Sequence, residues 1–324
     1  LVPERFYFWA NQRRRHEWTY ISGGPESAVY KSTDGGNTWN KLSNGMPAND
    51  MGRIGLAISP ANPDVLYAIV EASEGKGVYR SEDRGASWNK QGDFSTAGNY
   101  YQEIVADPKN ENKIYSLDTY AMVSENAGKT FSPLGEKSKH VDNHALYIFP
   151  KDVKHMLIGC DGGLYESFDG AKTWNYKANL PITQFYRVCV DNSKPFYYVY
   201  GGTQDNNTLG GPARTISASG ITNADWFVTV GGDGFQSRVD PKEPNIVYSQ
   251  WQYGGLIRFD RKSGEQVSIK PMEKQGEAAW RWNWDSPLLI SAFDNKRLYF
   301  AANKIFKSND RGDSWTVISP DLSR

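Results

Sequence analysis

The chain has 324 residues, of which 14% are aromatic, and its 37 basic residues balance 37 acidic ones. This balance offers no basic excess for nucleic-acid binding, and no apolar run reaches the roughly 18 residues of a membrane-spanning helix. Eleven Trp, 19 Tyr and 31 Gly favour short strands joined by tight turns. The composition therefore predicts an all-β protein.

One octet of the form Ser-x-Asp-x-Gly-x-Thr/Ser-Trp recurs along the chain. It is complete at residues 32–39, 81–88 and 308–315, and worn copies lie at 124–131 and 167–174. The first four copies start 49, 43 and 43 residues apart, and the last starts 141 residues after the fourth, which leaves room for two repeats without the octet. A period of this size with several short strands is typical of propeller blades.

The repeats predict a single β-propeller region over residues 1–324, with about seven four-stranded blades. We name the strands of a blade A (innermost) to D (outermost), and the octet forms the turn between C and D. The first blade lacks its innermost strand, because the chain starts in a strand B near residue 5. The predicted blades cover roughly residues 1–50, 51–98, 99–138, 139–180, 181–230, 231–275 and 276–324.

The Asp and Trp of the octet are predicted to be structural. The Asp side chain accepts backbone amides across the C–D turn, Gly allows a positive φ, and Trp packs between neighbouring blades. We expect the octet tryptophans to be largely buried. The structural set comprises Asp34, Trp39, Asp83, Trp88, Asp169, Trp174, Asp310 and Trp315.

Four further segments are more specific to one family of propellers than the octet is. They are Gly-Gly-Thr-Gln-Asp-Asn-Asn at 201–207, Gly-Gly-Asp-Gly-Phe at 231–235, Arg-Trp-Asn-Trp at 281–284 and Ile-Ser-Pro-Asp-Leu at 318–322. Together with the octets, they resemble the bacterial Asp-box (bacterial neuraminidase) repeat proteins of sortilin-like propeller type, often labelled glycosyl hydrolase-like. The resemblance implies a secreted, periplasmic or cell-surface propeller, and the chain looks like an internal part of a longer member with further repeats.

A candidate site lies at the rim where A strands begin and B strands end, near which propeller ligands usually bind. Ten predicted site residues come just before a strand A or at or just after the end of a strand B: His140, Asp142, His144, Asp161, Gln204, Asp205, Asp233, Trp251, Arg281 and Trp284. We expect six of them, His140, Asp142, Asp161, Asp205, Asp233 and Arg281, to converge on one axial mouth, with Arg281 and the histidines balancing the carboxylates. Two interpretations stay open, a ligand pocket or a hydrated channel whose residues bond to one another.

No cofactor is certain, but two groups of residues are candidates for a divalent ion. His140, Asp142 and His144 alternate, which on a strand places them on one side, and His and Asp are ligands of zinc and other transition metals. The alternative for these three is hydrogen bonding between blades. Asp161, Asp205 and Asp233, with backbone carbonyls, are candidates for calcium.

Two functions of different classes are compatible with these patterns. The first is an extracellular binding or scaffolding module for a protein, peptide or glycan ligand at the axial face. The alternative is a glycoside hydrolase-like enzyme with Asp205 and Asp233 as paired carboxylates, whose separation would be about 5–5.5 Å in a retaining and about 6.5–9.5 Å in an inverting enzyme. The sequence has no Arg-Ile-Pro segment and no assignable arginine triad of the sialidase type, which favours binding.

Two features stand outside the repeat. Cys160 and Cys189 lack metal-ligand spacing in a chain long enough to bury a core without disulfides, so both are predicted to be packed thiols. Arg13, Arg14, Arg15 and His16 form the chain's basic cluster. A solvated loop between strands B and C is the default interpretation, and contact with an acidic partner or a neighbouring domain is the alternative.

Overall fold

The computed structural model describes residues 5–16, 18–48, 50–180 and 182–323. These residues form 29 β-strands and one short 3-10 helix at Asn223–Asp225. The strands pair into seven antiparallel sheets, each from one continuous stretch of chain, and a separate two-stranded hairpin. The fold is thus the all-β propeller class of seven blades that the octet spacing predicts. Nothing helical in the described part of the chain has the length and apolar character needed to cross a membrane.

Blades 1 to 4 belong to the first of two compact units, which covers Leu1–Leu180. Blade 1 has three strands among the described residues, β1 (Phe6–Ala10), β4 (Ala28–Ser32) and β5 (Asn40–Leu42), and the hairpin β2 (Arg13–Arg15) and β3 (Tyr20–Ser22) interrupts it. Blade 2 has β6 (Met51–Ile58), β7 (Leu66–Ala72), β8 (Gly77–Ser81) and β9 (Asn89–Gly92). Blade 3 has β10 (Glu103–Ala106), β11 (Ile114–Leu117), β12 (Met122–Ser124) and β13 (Ser132–Pro133). Blade 4 has β14 (Asn143–Ile148), β15 (Met156–Cys160), β16 (Gly163–Ser167) and β17 (Asn175–Tyr176).

Blades 5 to 7 belong to the second unit, Pro181–Arg324. Blade 5 has β18 (Arg187–Val190), β19 (Tyr198–Gly202), β20 (Thr208–Pro212) and β21 (Phe227–Val230). Blade 6 has β22 (Gly234–Val239), β23 (Ile246–Trp251), β24 (Gly255–Asp260) and β25 (Gln266–Ser268). Blade 7 has β26 (Leu288–Ile290), β27 (Leu298–Ala301), β28 (Ile305–Ser308) and β29 (Thr316–Val317).

The core of each unit lies between successive blades. Because alternate side chains of a strand point to opposite faces, a central strand buries residues against both neighbours. In β7, Leu66 and Val70 belong to the cluster that includes Val29 of blade 1, whereas Tyr67 belongs to the cluster that includes Ile114 of blade 3. This two-sided burial explains why strand B is apolar at nearly every position instead of at every second one.

The octet turns are closed by their own Ser and Asp side chains, as the sequence predicts. In the copy of blade 2, Ser81 Oγ accepts the amide of Gly85 at 2.8 Å, and Asp83 Oδ1 accepts the amide of Ser87 at 2.8 Å. Two consecutive residues of the turn, Arg84 and Gly85, have left-handed φ angles of 60° and 82°. The worn copy at 167–174 shows that Gly is not obligatory, because Ala171 adopts φ 68° at the same position.

Three octet tryptophans contact the end of strand D in the preceding blade. The contacts are Trp88 N to Asn44 O at 3.0 Å, Trp174 Nε1 to Gly135 O at 3.1 Å, and Trp315 Nε1 to Ile269 O at 2.7 Å. Trp88 and Trp174 are buried, and Trp315 is half-buried. In these three copies the Trp therefore helps to join its blade to the preceding one.

Trp39 departs from the expected burial, since 39% of it is exposed. It belongs to blade 1, the first of the described blades along the chain. Its Nε1 donates to Gly36 O of its own octet at 3.0 Å, and its ring meets Phe8 edge to face at 4.7 Å between centroids. The octet of blade 1 therefore forms its turn although its Trp is partly exposed.

The octet carboxylates give the fold a sensitivity to acid. Hydrogen bonds from Ser87, first its hydroxyl and then its amide, lower the pKa of Asp83 from its ordinary 3.8 to about 2. The pKa of Asp34 and that of Asp169 are lowered to about 2 by the same pattern of bonds. A carboxyl group with a depressed folded-state pKa stabilises the fold above the ordinary pKa, and this contribution is lost as the pH falls through the folded-state pKa.

We therefore expect Asp83→Asn to flatten the loss of stability between about pH 4 and about pH 2. The substitution keeps the turn, because the worn copy in blade 3 already has Asn126, whose Oδ1 accepts the amide of Thr130 at 3.0 Å. Urea unfolding at a series of pH values measures the effect, with Asp152→Asn as an exposed control outside the octets. Parallel pH profiles for Asp83→Asn and the unchanged chain would contradict the assignment.

Both cysteines are free thiols, as predicted. Burial raises the pKa of the Cys189 thiol to about 11, and burial also raises the pKa of Cys160. The thiol form therefore dominates at neutral pH, and neither side chain has the lowered pKa of a reactive cysteine.

Candidate functional site

The first group of predicted site residues lies in unit 1, at the edge of blades 3 and 4 where strand A begins and strand B ends. The register pairs Asn143 at the start of β14 with Cys160 at the end of β15, so residues before β14 adjoin residues after β15. We define the unit 1 cluster as Tyr101, His140, Asp142, His144 and Asp161.

The unit 1 cluster is joined by direct contacts. Tyr101 Oη donates to Asp142 Oδ1 at 2.5 Å, and its ring stacks on His144 at 5.2 Å between centroids. His144 Nε2 lies 3.0 Å from Asp161 Oδ1. Burial, with the bond to Asp142 adding to it, raises the pKa of the Tyr101 phenol, so the phenol remains a donor at neutral pH. These contacts link Tyr101 to Asp142 and to His144, and His144 to Asp161, and the choice between a ligand pocket and a bonded channel stays open.

The expected alternation of His140, Asp142 and His144 does not hold. Strand β14 begins only at Asn143, and Asp142 before it has a left-handed φ of 62°. His140 and Asp142 each bring one ligand atom to within 4.8 Å of the other, while His144 is bonded to Asp161. Because zinc sites use three or four protein ligands, this pair is an incomplete set within unit 1, and metal binding stays a prediction.

A buried lysine holds the backbone beneath the unit 1 cluster. The side chain of Lys139 has no exposed surface and forms an ion pair with Glu136. Its Nζ donates to His140 O and to Asn143 Oδ1, both at 2.6 Å. A buried charge is tolerated only when it is paired and hydrogen-bonded, so these contacts fix the path of the chain that presents His140 and Asp142.

The second group lies in unit 2, again where A strands begin and B strands end. It is connected across blades 5, 6 and 7 by hydrogen bonds and ring contacts. We define the unit 2 cluster as Tyr186, Gln204, Asp205, Asp233, Phe235, Gln252, Tyr253 and Trp284.

The loop that follows β19 is a fixed platform in this cluster. Thr203 N donates to Asn207 O at 3.0 Å, and the Thr203 hydroxyl donates to Asn206 O at 2.6 Å. Asn207 N donates to Gly232 O of the neighbouring blade at 2.7 Å. Asp205 and Asn207 have left-handed φ angles of 57° and 77°, and Asp and Asn adopt this region more readily than other non-glycine residues. The Gln-Asp-Asn-Asn sequence thus suits the loop geometry.

Asp233 is a buried carboxylate whose two oxygens both accept hydrogen bonds. Its Oδ1 accepts the backbone amide of Asp205 at 3.3 Å, and its Oδ2 accepts Gln252 Nε2 at 3.2 Å. Gln252 Oε1 in turn accepts the amide of Asp233 at 3.1 Å. The Gln252 side chain therefore pairs reciprocally with Asp233, and Asp233 ties the loop of blade 5 to the B–C turn of blade 6.

Aromatic rings border these polar groups. Tyr186 stacks on the buried Phe235 at 5.0 Å, and its hydroxyl donates to Gln204 Oε1. Phe235 meets Trp284 edge to face at 6.0 Å, and Trp284 meets Tyr253 edge to face at 5.1 Å. Tyr186 and Tyr253 are exposed, while Trp284 is half-buried. The cluster therefore offers two accessible phenol rings beside amide and carboxylate groups.

Two predicted site residues have other partners in unit 2. Trp251 packs in the core between blades 5 and 6 and lies directly over Gly255, where a Cβ would stand 2.1 Å from the indole. Arg281 was expected to balance the cluster's carboxylates, but its Nη2 pairs with Asp321 Oδ2 at 2.8 Å. Hydrogen bonds from Ser323, with Arg281 also contributing, hold the pKa of Asp321 below its usual range. Convergence of the six residues named above on one axial mouth stays a prediction.

Sequence reasoning did not place Phe235, Tyr253 or Arg187 at the site. Arg187 Nε lies 3.2 Å from Asp285 Oδ2, and Asp285 directly follows Trp284 in the chain. Tyr253 has a left-handed φ of 59° in the turn after β23. A bulky residue followed by Gly254 directly after strand B was the available signal for Tyr253.

No known protein family and no curated protein matches this sequence. Three solved structures are similar at low identity. A GH74 xyloglucanase from Xanthomonas campestris is 15% identical, with 96% of this chain and 47% of that chain covered and a TM-score of 0.39. YCF48 bound to D1 peptide is 11% identical, with 91% and 93% covered and a TM-score of 0.37. A protein from Lactobacillus plantarum is 11% identical, with 99% and 96% covered and a TM-score of 0.38.

The chain therefore spans about half the length of the xyloglucanase. At these identities and scores the similarity carries no argument about site residues, ligands or partners.

Proposed function

We propose that this chain is an extracellular binding module of the Asp-box propeller type, which holds a peptide or glycan ligand at the unit 2 cluster. The observation that carries the proposal is the pairing of a fixed polar loop, residues 203–207, with the exposed rings of Tyr186 and Tyr253. Ligand sites combine apolar and aromatic surface with a few fixed polar groups that set the orientation of the ligand. Both components are present here on adjoining blade edges.

The aromatic and polar groups have complementary roles in this proposal. Exposed phenol rings offer flat faces for the C–H surface of a sugar or for an apolar peptide side chain, with little rotamer entropy to lose. The side-chain amide of Gln204 can donate and accept, which suits sugar hydroxyls and peptide groups alike. Because residues 203–207 are held by backbone hydrogen bonds, the loop needs little reordering when a ligand binds.

The alternative is a glycoside hydrolase-like enzyme that uses Asp205 and Asp233. A general acid must hold a proton within reach of the leaving group, and a nucleophile must present a free oxygen. Both oxygens of Asp233 already accept hydrogen bonds from Asp205 and Gln252. This arrangement supports a role for Asp233 in holding the loop, which is why we favour binding over hydrolysis.

Replacing Tyr186 tests the binding function. We expect Tyr186→Ala to lower the affinity for a ligand at least about ten-fold, as for aromatic residues at the centre of interfaces. The chain is first screened against soluble oligosaccharides and a peptide library, and hits are measured by titration calorimetry. Tyr197→Ala is the matched control, because Tyr197 is 49% exposed against 48% for Tyr186 and precedes β19 at the opposite end from Gln204.

The same oligosaccharides are assayed for cleavage. Turnover that disappears in Asp205→Asn and Asp233→Asn would support the hydrolase alternative. If every ligand bound Tyr186→Ala and Tyr197→Ala with the same affinity, binding at the unit 2 cluster would be contradicted.

A further inference from the structure

The hairpin of β2 and β3 stands apart from the blades of unit 1. It interrupts blade 1 between β1 and β4 and pairs only with itself. In its register Arg13 lies opposite Ser22, Arg14 opposite Ile21 and Arg15 opposite Tyr20. All three arginines are exposed. The hairpin is therefore a two-stranded ribbon whose first strand consists of arginine alone.

The base of this ribbon is fixed to blade 2. Ser22 Oγ donates to Glu71 Oε2 at 2.8 Å, and Gly24 N donates to Met51 O at 3.3 Å. Gly23 N donates to Gln12 O at 3.0 Å and closes the ribbon at its root. The ribbon is thus held at one end and has its turn at the other.

The charge of the ribbon is uncompensated among the residues that the structure describes. Arg13, Arg14 and Arg15 form no ion pair there, in contrast to Arg53, which lies 2.7 Å from Glu103 in the same unit. Glu17 is the only acidic residue of the sequence from 11 to 23. Because successive side chains of a strand alternate, Arg13 and Arg15 point to one face and Arg14 to the other. Positive charge is therefore present on both faces.

Near its turn, on either side of Glu17 in the sequence, the ribbon exposes aromatic and apolar side chains. Trp18 is 79% exposed, and its ring stacks on His16 at 5.3 Å between centroids. Ile21 and Tyr20 on the second strand are exposed as well. No core cluster of unit 1 includes these side chains. Packing in the core of the described residues therefore does not explain why these positions are aromatic or apolar.

We propose that this hairpin docks, turn first, into the headgroup layer of an anionic lipid surface. Arginines near a membrane are attracted by anionic lipids, and Trp and Tyr rings prefer the interface between headgroups and acyl chains. A ribbon that enters a headgroup layer is surrounded by anions, so arginines on both faces contribute. A linear polyanion lying along one face would use Arg13 and Arg15 and leave Arg14 and Trp18 without a role. This surface is separate from the unit 2 cluster and does not depend on the function proposed there.

Vesicle sedimentation of the whole chain tests the proposal. The probes are vesicles of phosphatidylcholine with about one third phosphatidylglycerol, and vesicles of phosphatidylcholine alone. We expect the chain to bind the anionic vesicles at about 0.1 M salt and to be released at about 1 M salt. Replacing all three arginines by Gln should lower the partition coefficient on the order of a hundred-fold. Trp18→Ala should lower it on the order of ten-fold.

Matched controls separate the hairpin from net charge and from general hydrophobicity. Lys129, Lys137 and Lys172 are exposed elsewhere in unit 1, and replacing them together by Gln gives the same net charge as the arginine variant. Phe293→Ala removes an exposed ring from another part of the chain. Neither control should change the partition coefficient.

Three outcomes would overturn the proposal. The first is no binding to the anionic vesicles, and the second is an equal loss in the lysine and arginine variants. The third is retention on immobilised heparin without vesicle binding, which would assign the hairpin to a linear polyanion. The melting temperature of each variant is compared with that of the unchanged chain. Equal values show that a substitution changes vesicle binding without changing the stability of the fold.

Discussion

Trp88→Ala is expected to lower the free energy of unfolding by about 3–5 kcal/mol, the range for truncation of a large aromatic residue in a core. Only 3% of Trp88 is exposed, and it belongs to the cluster between blades 1 and 2. The chain that follows blade 1 passes close to the backbone at this position, because a Cβ on Gly45 would stand 1.9 Å from Trp88 O. Urea unfolding followed by circular dichroism measures the loss.

Trp39→Ala is the matched control for this prediction. It changes the same octet position, but Trp39 is 39% exposed and lacks a preceding described blade, so the loss should be clearly smaller. If the two substitutions lowered the free energy of unfolding by the same amount, the octet Trp would stabilise only its own turn. The assignment of Trp88 as the residue that joins two blades would then be wrong.

Asp233→Asn is expected to destabilise unit 2 by about 1–3 kcal/mol, the cost of leaving buried polar groups unsatisfied. The change is nearly isosteric, but it places an amide N–H₂ where Oδ2 accepts Gln252 Nε2. Gln252 cannot rotate to adapt, because its Oε1 is needed by the amide of Asp233. The loop of Asp205 should therefore loosen, and any Tyr186-dependent ligand should bind more weakly.

A second substitution distinguishes this pairing from a general effect of charge. Combining Asp233→Asn with Gln252→Glu exchanges donor for acceptor on both sides, so the reciprocal pair can form again and the stability should return. Asp205→Asn removes a carboxylate from the same loop and keeps the backbone donor to Asp233, so its melting temperature should fall less. Thermal melts of the single variants and the double variant measure this. A double variant no more stable than Asp233→Asn would contradict the reciprocal pair.

The fold was predictable because its signals are local. Ser81 and Asp83 close their turn with amides two to four residues away, so each octet specifies the C–D connection without help from the rest of the chain. The apolar strands between octets, such as β7 and β23, follow from the same period. Residues before strand A and after strand B adjoin within each blade for the same reason, since the register of a hairpin is set nearby.

The candidate site was predictable only in part. Topology indicated Gln204, Asp205, Asp233 and Trp284 from their places along the strands, and unit 2 joins all four through a chain of contacts. The partner of Arg281 was not predictable, because Asp321 lies 40 residues away and many acidic residues were equally available in the sequence. Burial of an octet Trp was likewise wrong for Trp39, since it depends on the neighbouring blade.

The sequence by itself therefore determined the all-β class, the number of blades, the octet turns and the ends of strands at which polar residues gather. These are properties of short segments, fixed by side-chain alternation, turn chemistry and hydrogen bonds over a few residues. Only the tertiary structure decided that Asp233 pairs with Gln252, that Trp251 belongs to the core, and that Arg13, Arg14 and Arg15 remain unpaired on an exposed ribbon among the described residues. Such outcomes depend on which distant side chains meet and which are left in water, and no local pattern encodes that choice.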